Sequence, residues 1–256
     1  MELGEMKAVV TGGASGLGEA VVRSIVSAGG KAVIIDINKD RAAKLMIELG
    51  NENLAFFPTD VTSPENVENN VKKAAEFLGS ITLLVNCAGI ATPGKVLSRK
   101  GMMELPQFEK VVQVNLIGTF NMIRVVSSYM AENEANDQQE RGVIINTASV
   151  AAFEGQIGQA AYSASKGGVA SMTLPIAREF AGKGIRVMAI APGLFETPMF
   201  ATLPEPAKEE LGKSVPFPNR LGMPQEYARL VESIVTNPML NGEVIRLDGA
   251  IRMQPK

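Results

Sequence analysis

The stretch KAVVTGGASGLGEA, residues 7–20, opens on a β-branched apolar run, turns through glycines and continues into a helical pattern. Gly12, Gly16 and Gly18 stand in a GxxxGxG spacing. Glycine lets a backbone turn tightly and approach a bound group closely, and a helix N-terminus offers free N–H groups at the positive end of a dipole. A tight turn explains a lone glycine triplet equally well. A strand before it and a helix after it make the pattern one that cradles a pyrophosphate. The next apolar run, 31–37, carries Asp36 eighteen residues after Gly18. A carboxylate at that point can accept hydrogen bonds from adenosine ribose hydroxyls and would repel a 2′-phosphate. No Arg or Lys lies between Thr11 and Glu19 to receive such a phosphate. The pattern therefore favours NAD over NADP.

The same alternation continues along the chain. Apolar runs fall at 7–11, 31–37, 54–60, 81–86, 142–149, 185–193 and 242–249. Helical patterns lie between them at 16–28, 39–49, 64–78, 107 to about 132, 162–181 and 224–235. The runs are continuous rather than alternating, as strands buried on both faces of a parallel sheet read. The expected fold is α/β, a single Rossmann-type, doubly wound domain over 1–256 with a seven-stranded parallel sheet flanked by helices. Residues 194–220, punctuated by Pro, Phe and Met, form the longest stretch without a clear strand. A loop of that length in a compact domain is expected to be a lid or a binding loop.

Composition narrows the chemistry. A formal net charge of −2 gives no reason to expect a nucleic-acid or anionic-membrane partner. No apolar run reaches the length of a spanning helix. One cysteine, Cys87, excludes an intrachain disulfide and a CxxC site, and a small buried thiol is the expected state. With no histidine, catalysis falls to Tyr, Lys, Ser, Asp or Glu, and no metal site is expected. The first residues reach an apolar strand at once, with no signal or Arg-rich transit pattern.

Ligands of open α/β sheets sit beyond the strand C-termini. Asp60 and Val61 stand at one such end and Asn86, Cys87, Ala88 and Gly89 at another, where a turn role is the alternative. Ser149 ends the fifth run, and thirteen residues later Tyr162 and Lys166 share one face of a helix. Alcohol oxidation with a nicotinamide removes a hydride from carbon and a proton from oxygen. An ammonium and a cationic ring near a tyrosine favour its phenolate, and a serine hydroxyl can hold the substrate oxygen. A surface Tyr–Lys pair, worth a few tenths of a kcal/mol, is the plain alternative. Between the two, Gln156 and Gln159 are candidates to touch substrate.

TGGASGLG, Asp36, NCAG, Asn115, Ser149, YSASK and APG at 191–193, in this order, resemble the short-chain dehydrogenase/reductase family over essentially the whole chain. The resemblance implies that Tyr162 is the general base in oxidation and that Lys166 binds the nicotinamide ribose and lowers the Tyr162 pKa. It implies that Ser149 orients the substrate oxygen, and that Asn115 holds a water in a proton relay to Lys166. It places Gly12, Ser15, Gly16, Leu17, Gly18, Asp36, Asp60, Val61, Asn86 to Gly89, Pro192, Gly193, Phe195 and Thr197 around NAD. Within the family, the segments 89–115, 141–168, 173–178, 190–199, 215–222 and 240–255 are similar to members that oxidise 3-hydroxyacyl-CoA. The expected partner is then an acyl-CoA or similar hydroxy substrate. Leu194, Phe195, Met199, Phe200, Leu203 and Phe217 would cover an acyl chain, and Lys95, Arg99, Lys100, Lys208 and Lys213 would meet CoA phosphates. Steroid or other alcohol oxidation, 3-oxoacyl-carrier-protein reduction and a non-catalytic NAD-binding scaffold stay open.

The resemblance also implies a homotetramer, with the apolar VIRLDGAIRM segment against a neighbour. Animal members carry an N-terminal extension for mitochondrial import, so the expectation here is a bacterial, cytoplasmic protein. Glu196 departs from a glycine expected in that subgroup.

Overall fold

The computed structural model describes residues 1–99, 101–198 and 204–255. In chain order the strands are β1 (Lys7–Thr11), β2 (Lys31–Asp36), β3 (Leu54–Pro58), β4 (Leu83–Asn86), a small hairpin of β5 (Leu97–Ser98) and β6 (Gly101–Met102), β7 (Gly142–Thr147), β8 (Ile185–Pro192) and β9 (Val244–Leu247). All but the hairpin form one parallel sheet in the order β3-β2-β1-β4-β7-β8-β9. The order reverses between β1 and β4, so a crevice opens above their C-terminal ends.

Alternate residues of each strand feed two cores. Val10, Ile34, Val85, Ile145 and Ile190 pack with Val22 and Ile25 of α1 (Gly16–Ser27) and with Val231 and Ile234 of α8 (Pro224–Thr236). Their strand neighbours Val9, Val33, Leu84, Ile144 and Val187 face the other layer. There they meet α3 (Pro64–Leu78), α5 (Gly118–Ala131) and α6 (Ala160–Phe180) through Val71, Met122 and Ile176. Both faces of the sheet are dry, which is why the strands read as unbroken apolar runs.

The remaining helices are α2 (Lys39–Leu49), α4 (Leu105–Val112) and α7 (Glu205–Lys213). Local chemistry sets several helix ends. Asn38 Oδ1 accepts from Arg41 N at 3.0 Å to cap α2. Ser63 and Pro64 open α3, and Gly79 closes it in the left-handed region.

Several boundaries differ from the sequence pattern. β2 stops at Asp36 and β3 at Pro58, which leaves Asp60 and Val61 in a loop, and β7 stops at Thr147, two residues before Ser149. The pattern from 107 to 132 is not one helix: α4 and α5 are joined by a π turn, Gln113–Ile117. The 194–220 stretch holds α7, a short and polar helix in which Gly212 is the buried residue. Among the described residues no helix is long and apolar enough to cross a membrane.

Candidate active site

Strand β1 delivers its chain into the glycine loop with positive φ at Gly12 and Gly16, where a side chain would be strained. A Cβ on Gly12 would stand 2.8 Å from Ala88 N, and one on Gly18 would collide with the Gly12 carbonyl oxygen. These glycines thus let β1, the β4 loop and the start of α1 touch backbone to backbone. Ser15, in extended conformation, precedes α1 without capping it through its side chain, so the first N–H groups of the helix lack a side-chain acceptor. Leu17 packs against the core below. A bare helix end above three closely packed loops suits a diphosphate.

Asp36 emerges beside that loop. Its Oδ2 accepts from Ala14 N at 3.1 Å and its Oδ1 from Asn38 N at 2.9 Å. The carboxylate is thereby fixed, yet each oxygen keeps a lone pair for a ribose hydroxyl. Asp60 is exposed and folds back on Thr62, accepting from its N at 2.9 Å and its Oγ1 at 2.7 Å. Val61 is buried, with its carbonyl oxygen accepting from Asn121 Nδ2 at 2.8 Å.

At the end of β4, Asn86 Nδ2 donates to Asn146 Oδ1 at 2.9 Å between neighbouring strands, a structural bond rather than a turn. Thr11 Oγ1 accepts from both Cys87 N and Ala88 N, at 3.1 and 3.0 Å, and moulds the loop. Burial pushes the Cys87 thiol pKa up, in keeping with an inert cysteine. Gly89 is the floor next to the reactive side chains: a Cβ there would lie 3.2 Å from Asn115 Oδ1 and 3.5 Å from Lys166 Nζ.

The fold brings Ser149, Tyr162, Lys166 and Asn115 together. Ser149 caps the short 3₁₀ turn Val150–Ala152, its Oγ accepting from Ala151 N at 3.1 Å. Lys166 is buried; its Nζ donates to the Thr147 carbonyl at 2.7 Å and lies 5.9 Å from the Tyr162 ring centre. Burial lowers the Lys166 pKa to about 8. Burial raises the Tyr162 pKa, and a hydrogen bond with the Ser149 hydroxyl pulls it partway back. With Lys166 resting on the Thr147 carbonyl, desolvation of the phenolate outweighs the Ser149 bond, and the net direction is upward.

Asn115 sits fully buried in the π turn. Its side chain is spent on protein: Oδ1 accepts from Ile90 N at 2.8 Å, and Nδ2 donates to Ile90 O at 2.9 Å and Ser165 Oγ at 3.0 Å. The side-chain amide thus locks the β4 loop onto α6. The Asn115 backbone carbonyl accepts from Thr119 Oγ1 at 2.7 Å.

Gly193 N donates to Leu247 O at 2.9 Å just past Pro192, at the root of the expected lid. Leu194 and Phe195 are largely buried and border a small pocket with Val215, Pro218, Leu247 and Gly249. Leu194 packs with Val215, Leu221 and Ile251, and the Phe195 ring belongs to the core around α1 and α8. Thr197 and Pro198 rest against Gly16, where a Cβ would stand 3.2 Å from Pro198 Cδ. Phe217 and Glu196 are exposed, as are Lys95, Arg99 and Lys213, while Lys208 pairs with Glu205 at 2.7 Å. Met199, Phe200, Leu203 and Lys100 lie outside the described residues. Gln156 Nε2 donates to Gln254 O at 2.9 Å, and Gln156 N donates to Gln159 Oε1 at 3.0 Å.

Sequence reasoning missed Thr11 and Thr147, which hold the loops, and Tyr227, whose OH pairs with Thr147 Oγ1 at 2.8 Å from a helix 80 residues away. A threonine ending a strand before GGAS or before ASV is too ordinary to be found by pattern.

The family described as short chain dehydrogenase matches residues 6–208. The human 3-hydroxyacyl-CoA dehydrogenase type-2 is 56% identical over 250 residues, 97% of this chain and 95% of that protein. The 3-oxoacyl-[acyl-carrier-protein] reductase FabG of Thermotoga maritima is 35% identical over 95% of this chain and 96% of that protein. The crystal structure of 3-hydroxyacyl-CoA dehydrogenase type-2 from Mycobacterium avium superposes with a TM-score of 0.92 at 39% identity, covering 100% of this chain and 98% of that one. With sheet order, glycine loop and sequence in agreement, the chain belongs to the short-chain dehydrogenase family.

Proposed function

We propose that this oxidoreductase uses NAD to interconvert (S)-3-hydroxyacyl-CoA and 3-oxoacyl-CoA. The observation that carries the reading is the convergence of Ser149, Tyr162 and buried Lys166 at the sheet edge that also bears the glycine loop and Asp36. The acyl-CoA substrate is supported by 56% identity to a human relative of that activity, against 35% to a carrier-protein reductase. NAD is supported by Asp36, which meets the loop through Ala14 N and would repel a 2′-phosphate.

Bound NAD would supply the hydride acceptor. Tyr162 as phenolate takes the hydroxyl proton, and Ser149 holds the same oxygen as it becomes a carbonyl. Lys166 swings from the Thr147 carbonyl to the nicotinamide ribose. Because burial holds the phenol above its ordinary pKa, the Lys166 ammonium would supply further stabilisation of the phenolate, and the positive charge of oxidised NAD would add to it when bound. The proton then leaves past Lys166 and the Asn115 carbonyl to solvent. In reduction the same groups act in reverse.

The chain is also read as one domain and as a homotetramer. Leu105, Ile117 and Phe120 lie exposed along α4, the π turn and α5, an apolar row that suits a second copy. The VIRLDGAIRM segment is less free than its composition implies, since Ile251 is buried within its own chain. Light scattering checks the assembly, and a monomer would overturn it.

The deciding experiment compares wild type and Tyr162→Phe on acyl-CoAs of graded length, steroids and simple alcohols. The expected loss in kcat is about 10²- to 10⁴-fold, with NAD affinity largely kept. Unchanged turnover would overturn the Tyr162 assignment, a wild type that binds NAD but turns over none of these substrates would point to a scaffold, and a wild type active only on steroids would overturn the acyl-CoA assignment.

A further inference from the structure

The wall that follows Ser149, residues 153–159, has local hydrogen bonds and one to Gly94, and it is also held from outside. Its peptide groups and side chains are tied to the segment after β9. Glu154 is the hub: Arg246 grips it with two nitrogens at 2.8 and 3.2 Å, Arg252 Nε approaches to 3.3 Å, and Met253 N donates to its Oε2 at 3.1 Å. Beyond the hub, Gln156 Nε2 donates to Gln254 O and Ile157 N to Pro255 O, at 2.9 and 3.0 Å. The same segment also reaches the 194–221 region. Phe217 N donates to Gly249 O at 3.2 Å, and Ile251 is buried against Leu194, Val215 and Leu221 at the lid root. Arg246 also binds Asp248 at 2.7 Å, which stiffens the bend between β9 and this strap.

We propose that residues 248–255 are a strap joining the Ser149 wall to the lid root, and that Glu154 is the positioning residue that sets the width of the substrate side of the cleft. Glu154 touches neither the reacting atoms nor the glycine loop; it acts through Gln156 and Ile157. Partly shielded, multiply hydrogen-bonded ion pairs of this kind hold geometry better than isolated surface pairs. The Glu154 carboxyl pKa is lowered, first by its Arg246 hydrogen bond, so the link stays charged at neutral pH.

This inference rests on the dehydrogenase reading. The experiment is steady-state kinetics of Glu154→Gln and Glu154→Asp with a 3-hydroxyacyl-CoA series, together with NAD titration and amide hydrogen exchange. In Glu154→Gln the acyl-CoA KM should rise about tenfold, while kcat and the NAD Kd stay within about twofold. Glu154→Asp should recover part of that loss. Exchange should quicken at the Met253 and Ile157 amides and stay unchanged in β8. Arg246→Lys, which loses the two-pronged grip, serves as the second variant if Glu154→Gln fails to fold. An unchanged acyl-CoA KM, or a fall in NAD affinity equal to the rise in KM, overturns the strap. An inactive wild type, or full turnover by Tyr162→Phe, instead overturns the underlying reading.

Discussion

At the scale of single residues, the site depends on how burial and hydrogen bonds are balanced. Burial raises the Tyr162 pKa and the Ser149 hydroxyl lowers it. Ser149→Ala should therefore move the rising limb of the oxidation pH profile to higher pH, besides reducing kcat. A profile of kcat/KM against pH measures this, and a limb that stays in place or moves down contradicts the assignment. Asp36 accepts two main-chain N–H groups while keeping lone pairs for a ribose. Asp36→Ala should weaken NAD binding about 10- to 100-fold, from the loss of charge-assisted hydrogen bonds, and narrow the gap to NADP. A wild type that prefers NADPH would refute the argument. These residue types were legible from the sequence because their chemistry is scarce there: no histidine and three tyrosines leave few bases. Partners were not legible. Nothing local says that the Asn115 amide is spent on Ile90 and Ser165, or that Lys166 rests on the Thr147 carbonyl.

At the scale of elements, the glycine loop works by close approach. A Cβ at Gly18 would collide with the Gly12 carbonyl and stand 3.0 Å from Gly13 Cα. Gly18→Ala is expected to cost about 1–3 kcal/mol of stability through overpacking and to weaken NAD binding further by pushing α1 away from the loop. Urea unfolding and NAD titration test the two effects, and a neutral result on both would show that the loop has slack. The loop's position was predictable from strand, turn and helix signals in a row. The break between α4 and α5 was not, because an inserted π turn keeps an apolar period nearly intact while shifting the face of Asn115. Nor was the burial of Leu194 and Phe195. An apolar residue in a loop rich in Pro and Phe reads the same whether it covers a ligand or plugs the core.

At the scale of the whole molecule, an ion pair ties the lid region to α8. Arg220 holds Glu226 with both nitrogens, at 2.9 and 2.8 Å, where the lid region meets α8, and Glu226 also accepts from Met223 N at 2.8 Å. The Arg220 hydrogen bond is the main reason the Glu226 pKa falls from 4.5 to about 2. A carboxyl whose folded pKa is depressed stabilises the fold above its unfolded value and loses that contribution as pH falls through the folded one. Glu226→Gln should thus cost under about 1 kcal/mol near pH 7, since the pair is partly solvated. The difference from wild type should shrink between pH 4.5 and about 2. Urea midpoints across that range check it, and a difference that grows toward low pH would contradict it.

Sequence by itself determined the alternation of strands and helices, the parallel sheet and the scarce reactive residues, because burial on both faces and the needs of a phosphate loop write strong local patterns. Only the tertiary structure decided which loops meet. The Glu154 to Arg246 link spans 92 residues and the Thr147 to Tyr227 pair 80, and neither leaves a periodic trace. Such contacts are set by how helices and loops pack above the sheet edge, where a polar side chain finds its partner by position in space rather than by spacing in the chain.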